Sequence, residues 1–503
     1  MDHSYASSQE IKSYLSAVTF HYGIDKYISL RSQVTRAEWC ELTSKWTVSV
    51  HGQGDFECEI LVNACGILNN VQYPRIEGVD CFKGPLLHTA AWDENVDLGG
   101  KKVAIIGAGA SAIQMLPVIA KVAGSCDVYI RTPSWIVPPA GGDKKGNFEY
   151  TKEDKERFQN DSEFSLSSRR KMESEFNSMY PAFMKDGEAQ RALRTSLEQS
   201  MKGLLRDPAL HDKLIPKFEV GCRRINPGEP YLEILQERHV RPIFEPIDKI
   251  TSDGVVSGGE TRRADIIITA TGFDTSFTPR FPIIGREGRD LRELWQTDPI
   301  SYFGLAVAGF PNYFMFLGPN TPISNGSVMG TLEATSDYFV RLLGKLMREK
   351  ASSVEVREEV QADFDAHTQD LMQDMVWTGP CRSWYKGDDG KVRALWPGSS
   401  LHYREVLACN RWEDFKWKYR GNRFAYWGEG LSQVETSVDA SDGDFAYYME
   451  QYAPLPLEAY YLAAKGWTTK NRVSKSFRKG CNEVVLGDES EGSMIEPPSV
   501  VSV

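Results

Sequence analysis

Cysteine pairs with metal-binding spacing are missing from this 503-residue sequence. Its nine cysteines are scattered, none forms a C-x-x-C pair, and their number is odd. This usage argues against a zinc site and against a disulfide framework, and it is typical of buried thiols in a reducing compartment. We therefore expect free cysteines and no bound metal.

Long apolar runs and basic stretches are also missing. No segment reaches the ~18 consecutive apolar residues of a membrane span. The first residues, Met1-Asp-His-Ser-Tyr-Ala, have neither the basic region nor the apolar region of a signal peptide. The formal net charge is -11, and no Lys/Arg stripe indicates nucleic-acid binding. We expect a cytoplasmic protein that binds neither membrane nor nucleic acid.

The composition is that of a globular protein with several domains. Hydrophobic residues make up 41% and charged residues 25% of the chain, and this length predicts roughly two to four domains. Helical periodicity covers 9–18 and 330–350, and 145–215 is charged and helical. Alternating segments at 27–30, 34–35, 46–50 and 57–63 predict an antiparallel meander.

Residues 101–135 predict a βαβ unit with a nucleotide-binding turn. An apolar strand, Lys102–Ile106, is followed by the pattern G-x-G-x-x-A and a helix, and the next strand covers Asp127–Arg131. The first glycine allows the tight turn, the second lets the backbone approach a pyrophosphate, and the helix N-terminus faces its negative charge. The predicted contacts are Gly107, Ala108, Gly109, Ala110, Ser111 and Gln114.

The end of the second strand indicates which nicotinamide cofactor is used. A carboxylate at this position would suit the ribose hydroxyls of NADH, but the sequence has Arg131-Thr132. A guanidinium suits the 2′-phosphate of NADPH through charge-assisted hydrogen bonds. The alternative is an ordinary solvated charge at a strand end.

A second motif lies just before this unit. Phe82, Gly84, His88, Trp92 and Asp93 form the pattern F-x-G-x-x-x-H-x-x-x-W-D. This pattern resembles the fingerprint of Baeyer–Villiger flavin monooxygenases. The resemblance implies an α/β flavoprotein with two Rossmann-like dinucleotide-binding domains, joined by a linker in which His88 and Trp92 organise domain movement. Without the resemblance, a buried structural histidine is the simpler interpretation of His88.

The resemblance extends to a pair of arginines. Gly221-Cys-Arg223-Arg224 is similar to the family's G-x-K/R-R segment, in which the second basic residue is the active-site arginine. This implies that Arg224 is catalytic and that Arg223 contacts the NADPH phosphates. A fixed guanidinium stabilises developing negative charge without losing its own proton. The alternative is a surface ion pair.

Further segments resemble the flavin side of the family. Val34 matches a backbone contact to the adenine of FAD, and Asn320 lies in a loop expected beside the isoalloxazine ring. Ala270-Thr-Gly272 resembles a strand-end motif near the flavin. The segments 377–385 and 396–403 resemble fungal members of the secondary-metabolism branch, including those of the sterigmatocystin and aflatoxin type.

One family feature has no counterpart in the sequence. A first G-x-G-x-x-G normally binds the FAD pyrophosphate well before the fingerprint, whereas residues 1–15 resemble the piece that follows that motif. The acidic partner of the catalytic arginine is missing too. We therefore expect an N-terminally truncated FAD domain. A gene start placed too late, a degenerate product and a partner chain are the competing explanations.

The resemblance also divides the chain into regions. We expect a helical insertion within the NADPH-binding domain and a C-terminal region that packs on the FAD domain. The predicted regions are 1–80 (remnant of the FAD domain), 81–98 (linker), 99–245 (NADPH-binding domain, with its insertion at about 140–215), 246–345 (return segment of the FAD domain), 346–486 (C-terminal region) and 487–503 (disordered tail).

The implied activity is a Baeyer–Villiger oxidation. FAD reduced by NADPH would react with O2 to a C4a-peroxide, which inserts one oxygen atom beside a ketone carbonyl of a polyketide or terpenoid. Two alternatives stay open: heteroatom (N or S) oxidation on the same scaffold, and a non-catalytic remnant that binds only NADPH. The oligomeric state is not indicated by the sequence.

Overall fold

The structure, a computed structural model, describes residues 2–138, 147–321, 324–387 and 389–432, together with 435, 445 and 446. The predicted disordered tail at 487–503 lies outside the described residues. So do residues 447–486 of the predicted C-terminal region and residues 140–146 of the predicted insertion.

The described residues contain both helices and strands. The helices are α1 Ser8–His21, α2 Ala110–Ile119, α3 Lys152–Asn160, α4 Ser162–Asn177, α5 Glu188–Leu204, α6 His211–Leu214, α7 Glu229–Ile234, α8 Leu291–Leu294, α9 Val328–Arg348, α10 Glu358–Met372 and α11 Ser400–Leu407. The strands are β1 Val34–Cys40, β2 Lys45–Val50, β3 Gly54–Cys58, β4 Leu61–Asn63, β5 Leu86–His88, β6 Lys102–Ile106, β7 Ser125–Tyr129, β8 Ile136–Val137, β9 Asn226–Pro227, β10 Val240–Ile243, β11 Ile247–Thr251, β12 Gly254–Ser257, β13 Glu260–Arg263, β14 Ile266–Thr269, β15 Ile283–Ile284, β16 Tyr313–Met315, β17 Ala351–Val356 and β18 Phe415–Tyr419.

A parallel sheet of five strands, in the order β10-β7-β6-β14-β5, carries the predicted nucleotide turn. Ile105, Val128 and Ile268 on its central strands are fully buried, and α2 and α7 pack against them in one apolar cluster. Near-continuous apolar strands are what a parallel sheet covered by helices requires. The predicted βαβ unit and the α/β class are confirmed.

The sheet includes strands from both sides of the predicted NADPH domain. Strand β5 comes from the predicted linker and pairs with β14, which comes from the predicted return segment. This sheet therefore spans the predicted boundaries at 98 and 246, and the division of the chain into the predicted regions stays a prediction. Sequence pattern could not show this, because pairing between strands about 180 residues apart leaves no local periodicity.

The predicted antiparallel meander is present, but it has three strands where the sequence predicts four. Strands β1, β2 and β3 are antiparallel, and β15 adds to β1 in parallel. Trp46, fully buried, donates from Nε1 to the carbonyl oxygen of Pro311 at 2.9 Å. The predicted strand at 27–30 is wrong. The amides of Tyr27 and Ile28 bond to Ile24 and Asp25 instead, which closes a 3-10 turn.

The charged segment after the nucleotide unit is helical, as predicted. Helices α3 and α4 begin at side-chain caps, Thr151 and Asp161, whose oxygens accept the backbone N–H groups of Asp154 and Phe164. Helix α5 buries Leu197 and Met201 against the apolar cluster of the parallel sheet. The caps explain where these helices begin, because they satisfy N–H groups that have no partner within the helix.

The chain divides into two compact units. The first consists of Met1–Leu332 with Glu355–Tyr403, and the second of Glu333–Val354 with Arg404–Val503. Within the second unit, Lys345 donates to Glu349 at 2.6 Å and lies 5.1 Å from the ring centroid of Trp417. The predicted C-terminal region is therefore shared between the units, and its part at 355–403 belongs to the first.

The prediction that all the cysteines are free is wrong. Cys222 and Cys381 form a disulfide, with their Cα atoms 6.2 Å apart, and Cys409 is disulfide-bonded as well. Cys65 and Cys81 are free but exposed. The pairing could not be read from spacing, because the two cysteines are 159 residues apart in sequence and meet only through the fold.

The described residues contain neither a membrane-spanning helix nor a metal-binding cluster. None of the helices there is both long enough and apolar enough to cross a membrane. The same residues contain no cluster of three or more His, Cys, Asp or Glu side chains placed to hold a metal ion.

Candidate functional site

The predicted site residues converge at the carboxyl edge of the parallel sheet. His88 ends β5, Gly107 follows β6, Arg131 follows β7 and Ala270 follows β14. These four strands run in the same direction, so the segments after them meet at one edge. In open α/β sheets, ligands bind in the crevice outside this edge.

The glycine turn has the shape that a dinucleotide site needs. Gly107 has φ 126°, and a Cβ there would lie 2.5 Å from the carbonyl oxygen of Ala270. Gly109 is the N-cap of α2, has no side-chain cap, and a Cβ there would meet nothing within 4 Å. The open space over Gly109 and the amides at the start of α2 fit a pyrophosphate.

The other predicted contacts of the turn lie around it. The carbonyl oxygen of Ala108 accepts a hydrogen bond from Ser134 at 2.9 Å, which fixes the turn against the segment after β7. Ala110 and Ser111 form the first residues of α2 and are half-buried, while Gln114 is exposed one turn further along. Their contacts with a nucleotide stay predictions.

Arginines gather beside the end of β7. Arg223 donates from Nη1 to the carbonyl oxygen of Thr132 at 3.4 Å, which brings it next to Arg131. Burial lowers the pKa of Arg223, and the charge of Arg131 lowers it further. Burial also lowers the pKa of Arg131, with the charge of Arg382 as the second cause. Among the described residues, no carboxylate forms an ion pair with these three arginines or with Arg224. The uncompensated positive charge of these arginines favours an anionic ligand.

The segment that carries the arginine pair is held by tight packing. Gly221 has φ +87°, and a Cβ there would lie 2.5 Å from the ring of Phe183 on the helical insertion. Only glycine combines this backbone conformation with this contact. The disulfide at Cys222 fixes the next residue, so the side chains of Arg223 and Arg224 start from a rigid backbone.

Arg224 itself is exposed, and a buried tyrosine lies nearby. Burial raises the pKa of Tyr385 to about 12, while the positive charges of Arg224 and Arg223 act in the opposite direction. The tyrosine therefore stays protonated at neutral pH. Sequence reasoning missed Tyr385 and Arg382 as site residues. The one available signal was that Cys381-Arg382 repeats the Cys222-Arg223 dipeptide.

The fingerprint residues have separate structural roles. A Cβ at Gly84 would collide with the carbonyl oxygen of Asp265 and lie 2.8 Å from the ring of Phe82, which is partly buried. Asp93 accepts hydrogen bonds from the backbone and the side chain of Asn95 at 3.0 and 2.9 Å, which forms a local turn. Trp92 is 40% exposed. Packing within the described residues therefore does not explain why a tryptophan is at this position.

His88 is fully buried at the end of β5. Its Nδ1 accepts the N–H of Ala90 at 3.1 Å, which leaves the ring proton on Nε2. Nε2 lies near the backbone of Gly272 but has no hydrogen bond of normal geometry within the described residues. Burial lowers the pKa of His88, and the backbone of Gly272 acts against that shift. His88 is thus a neutral structural histidine that joins the ends of β5 and β14.

The segments that are predicted to bind flavin include a second set of parallel strands. Strands β4 and β16 pair in parallel, and a cleft beyond their ends is lined by both strand ends and by the loop before β15. The cleft includes Asn63, Cys65, Gly66, Phe316 and Gly318. The sequence contains only the G-x-G-x-x-A turn after β6 for a pyrophosphate.

The two predicted FAD contacts lie on a strand and in a buried loop. Val34 is the first residue of β1 and pairs with Val50, and its contact with adenine stays a prediction. Asn320 is buried, and its amide nitrogen donates to the carbonyl oxygens of Val392 and Leu395 at 2.8 and 2.9 Å. These two hydrogen bonds hold the loop in place, and the contact of Asn320 with FAD stays a prediction.

Comparisons with known proteins agree with this arrangement. A sequence profile of the flavin-binding monooxygenase-like family matches residues 3–148. The FAD-binding monooxygenase tazF of Aspergillus terreus is 38% identical, over 88% of this chain and 81% of its own length. A Baeyer–Villiger monooxygenase of Pseudomonas aeruginosa is 31% identical, over 80% of this chain and 76% of its own length.

Solved structures have the same fold. Cyclohexanone monooxygenase from Rhodococcus sp. Phi1, bound to NADP+, superposes with a TM-score of 0.73 at 26% identity and covers 83% of this chain and 86% of its own. A steroid monooxygenase bound to NADP gives a TM-score of 0.71 at 27% identity, with the same coverage. The fold is thus that of the two-domain flavoprotein monooxygenases. The chain belongs to the FAD-binding monooxygenases of the flavin-binding monooxygenase-like family, and the resemblance predicted from the fingerprint is confirmed.

Proposed function

We propose that this protein is an FAD- and NADPH-dependent monooxygenase that inserts one oxygen atom from O2 next to a ketone carbonyl. The observation that carries the proposal is the convergence at one sheet edge. The open glycine turn after β6, the arginines beside β7 and the fingerprint histidine at the end of β5 meet there.

NADPH is held by backbone amides and by guanidinium groups. The amides at the start of α2 face the pyrophosphate, since Gly109 leaves the approach open. Arg131 and Arg223 neutralise the 2′-phosphate beside the end of β7. An arginine at this position favours NADPH over NADH because its planar fork matches the oxygens of a phosphate.

FAD is held at the cleft beyond β4 and β16. The strand ends at Asn63 and Met315 and the loop at Gly318 line the cleft, and Val34 lies at the start of β1 for the adenine side. When bound, the flavin accepts a hydride from NADPH and activates O2.

Arg224 supports the oxygenation step as a fixed cation. As the ketone carbonyl is attacked, negative charge develops on its oxygen, and a guanidinium stabilises this charge without proton transfer. No carboxylate in the described part of the chain pairs with Arg224 and neutralises it. Tyr385, which is buried near the arginine pair, stays an uncharged phenol and adds no negative charge that would neutralise Arg224.

The substrate class is a polyketide or terpenoid ketone of fungal secondary metabolism. This substrate class is supported by a comparison of sequence identities with fungal and bacterial relatives. Fungal FAD-binding monooxygenases such as tazF and stcW are 38% identical to this chain, whereas the bacterial Baeyer–Villiger relatives are 31% and 28% identical. We also propose a cytoplasmic location, because NADPH is available there.

Spectroscopy on the purified chain tests the proposal. We expect a flavin absorption band and NADPH-dependent oxygen consumption that increases when a ketone is added. Oxygen consumption that yields only oxidised thioether or amine would favour heteroatom oxidation. A colourless protein that still binds NADPH would favour the remnant hypothesis.

A further inference from the structure

Two Cys-Arg dipeptides are joined side by side through their cysteines. Cys222 precedes Arg223, Cys381 precedes Arg382, and the two cysteines form the disulfide described above. Both cysteines are buried, with 0% and 4% of their surface exposed. The cross-link therefore fixes the backbone position at which each arginine side chain begins.

Both segments are packed tightly on either side of the disulfide. A Cβ at Gly379 would lie 3.0 Å from Glu219 and 3.4 Å from the sulfur of Cys222, so the two segments are in contact beyond the bond itself. Lys386 donates to the carbonyl oxygen of Gly379 at 2.6 Å and closes the loop around Arg382. The arginine at 382 is therefore held on a short, anchored loop and does not lie on a free surface strand.

Arg382 is placed by the disulfide next to the segment of Arg223, which contacts Thr132 at the nucleotide edge. It is exposed, it has no ion-pair partner in the described ranges, and its charge is the largest electrostatic influence on Arg131. Arg223 contacts the same strand end through the carbonyl oxygen of Thr132. Three arginines that form no ion pair with a described carboxylate thus lie on segments joined at the end of β7, where the glycine turn places the ribose of a bound dinucleotide. Their mutual repulsion is relieved by a group that carries two negative charges.

We infer that Arg382 binds the 2′-phosphate of NADPH together with Arg131 and Arg223, and that the Cys222–Cys381 disulfide positions it. The inference rests on the proposed use of NADPH. A phosphate monoester is the part of NADPH that NADH lacks, so Arg382 is a specificity-determining residue. The disulfide is a positioning element that acts through the backbone.

Binding measured by calorimetry tests the first part. Arg382→Gln should weaken NADP+ binding by at least about tenfold, because a charge-assisted contact is lost, and should leave NAD+ binding unchanged. Arg170→Gln is the matched control: it removes one positive charge from an exposed site on α4 and should leave both affinities as in the wild type. If Arg382→Gln binds NADP+ like the wild type, the inference is overturned. If the wild type itself does not prefer NADP+ over NAD+, the proposed function fails instead.

The same assay tests the disulfide. The double variant Cys222→Ser/Cys381→Ser leaves no unpaired thiol at this place, and its affinity for NADP+ should fall toward that of Arg382→Gln. If the double variant does not melt cooperatively, wild-type protein reduced with dithiothreitol replaces it, with thiol labelling to verify the reduction. Unchanged NADP+ affinity in the folded, disulfide-free protein would overturn the positioning role.

Discussion

The backbone of Gly107 lies directly against the carbonyl group of Ala270, so close that a Cβ at residue 107 would be 2.5 Å from that oxygen. The contact joins the nucleotide turn after β6 to the strand-end segment after β14. The packing at position 107 therefore requires glycine whether or not a ligand is bound.

The two glycines of the turn therefore predict different effects. Gly107→Ala should destabilise the protein by about 1–3 kcal/mol, because a strained φ of 126° and a backbone collision add together. Gly109→Ala should leave the melting temperature nearly unchanged and weaken NADP+ binding, since its Cβ meets no protein atom but occupies the ligand's approach. Thermal unfolding and calorimetry on both variants measure this. Equal melting temperatures for the two would contradict the assignment.

The role proposed for Arg224 predicts that its substitution separates flavin reduction from ketone oxygenation. Arg224→Ala should still oxidise NADPH and reduce flavin, but it should lose ketone oxygenation, because the cation that stabilises the developing charge is gone. Stopped-flow flavin reduction and product analysis measure the two steps. Arg224→Lys is the comparison variant, with partial recovery expected. Oxygenation by the alanine variant at the wild-type rate would remove Arg224 from its catalytic role.

Arg393 predicts a loss of stability, because it is buried among carboxylates. It bonds to Asp365 at 2.8 Å and to Asp298, lies 3.4 Å from Asp389, and is 4% exposed. Arg393→Met should lower the free energy of unfolding by roughly 3 kcal/mol, because the aspartates lose their shared partner. Denaturant titration measures this change.

Lys391→Met, at a neighbouring and more exposed position, is the control and should change stability little. The Arg393 variant should also loosen the loop at Asn320, whose N–H donates to the carbonyl oxygen of Arg393 at 2.7 Å. Stability equal to the wild type would show that the network contributes nothing.

His88 predicts a pH dependence of stability. Burial lowers its pKa in the folded protein, so below pH ~6.5 the unfolded chain binds a proton that the folded chain does not. The free energy of unfolding should therefore decrease as the pH falls through this value. His88→Gln should show a shallower decrease over the same window. Parallel pH profiles for the two proteins would mean that His88 is not held neutral by the fold.

Sequence reasoning found the parts of the site that local pattern encodes. The turn at Gly107 and Gly109 follows an apolar strand and begins a helix, and that context is visible within about twenty residues. Gly84 was recognised only through the family fingerprint, while its physical reason, the approach of Asp265, lies far along the chain. Contacts between distant segments cannot be predicted from the spacing of residues within a motif.

The same limit explains what was missed. The disulfide between Cys222 and Cys381 and the convergence of Arg382 with Arg131 depend on loops that the fold brings together. The sequence also does not show that the amide nitrogen of Asn320 donates to the carbonyl oxygens of Val392 and Leu395. A short motif does not encode the direction in which a side chain points, and this direction decides which partners the side chain contacts.

Oxygen incorporation tests the central claim most directly. The purified protein, supplied with NADPH and a ketone under isotopically labelled oxygen gas, should yield an ester or lactone carrying one labelled oxygen atom, with no product when NADPH is omitted. A product without label, or label found only on nitrogen or sulfur in added amines and thioethers, would contradict the proposed ketone oxygenation.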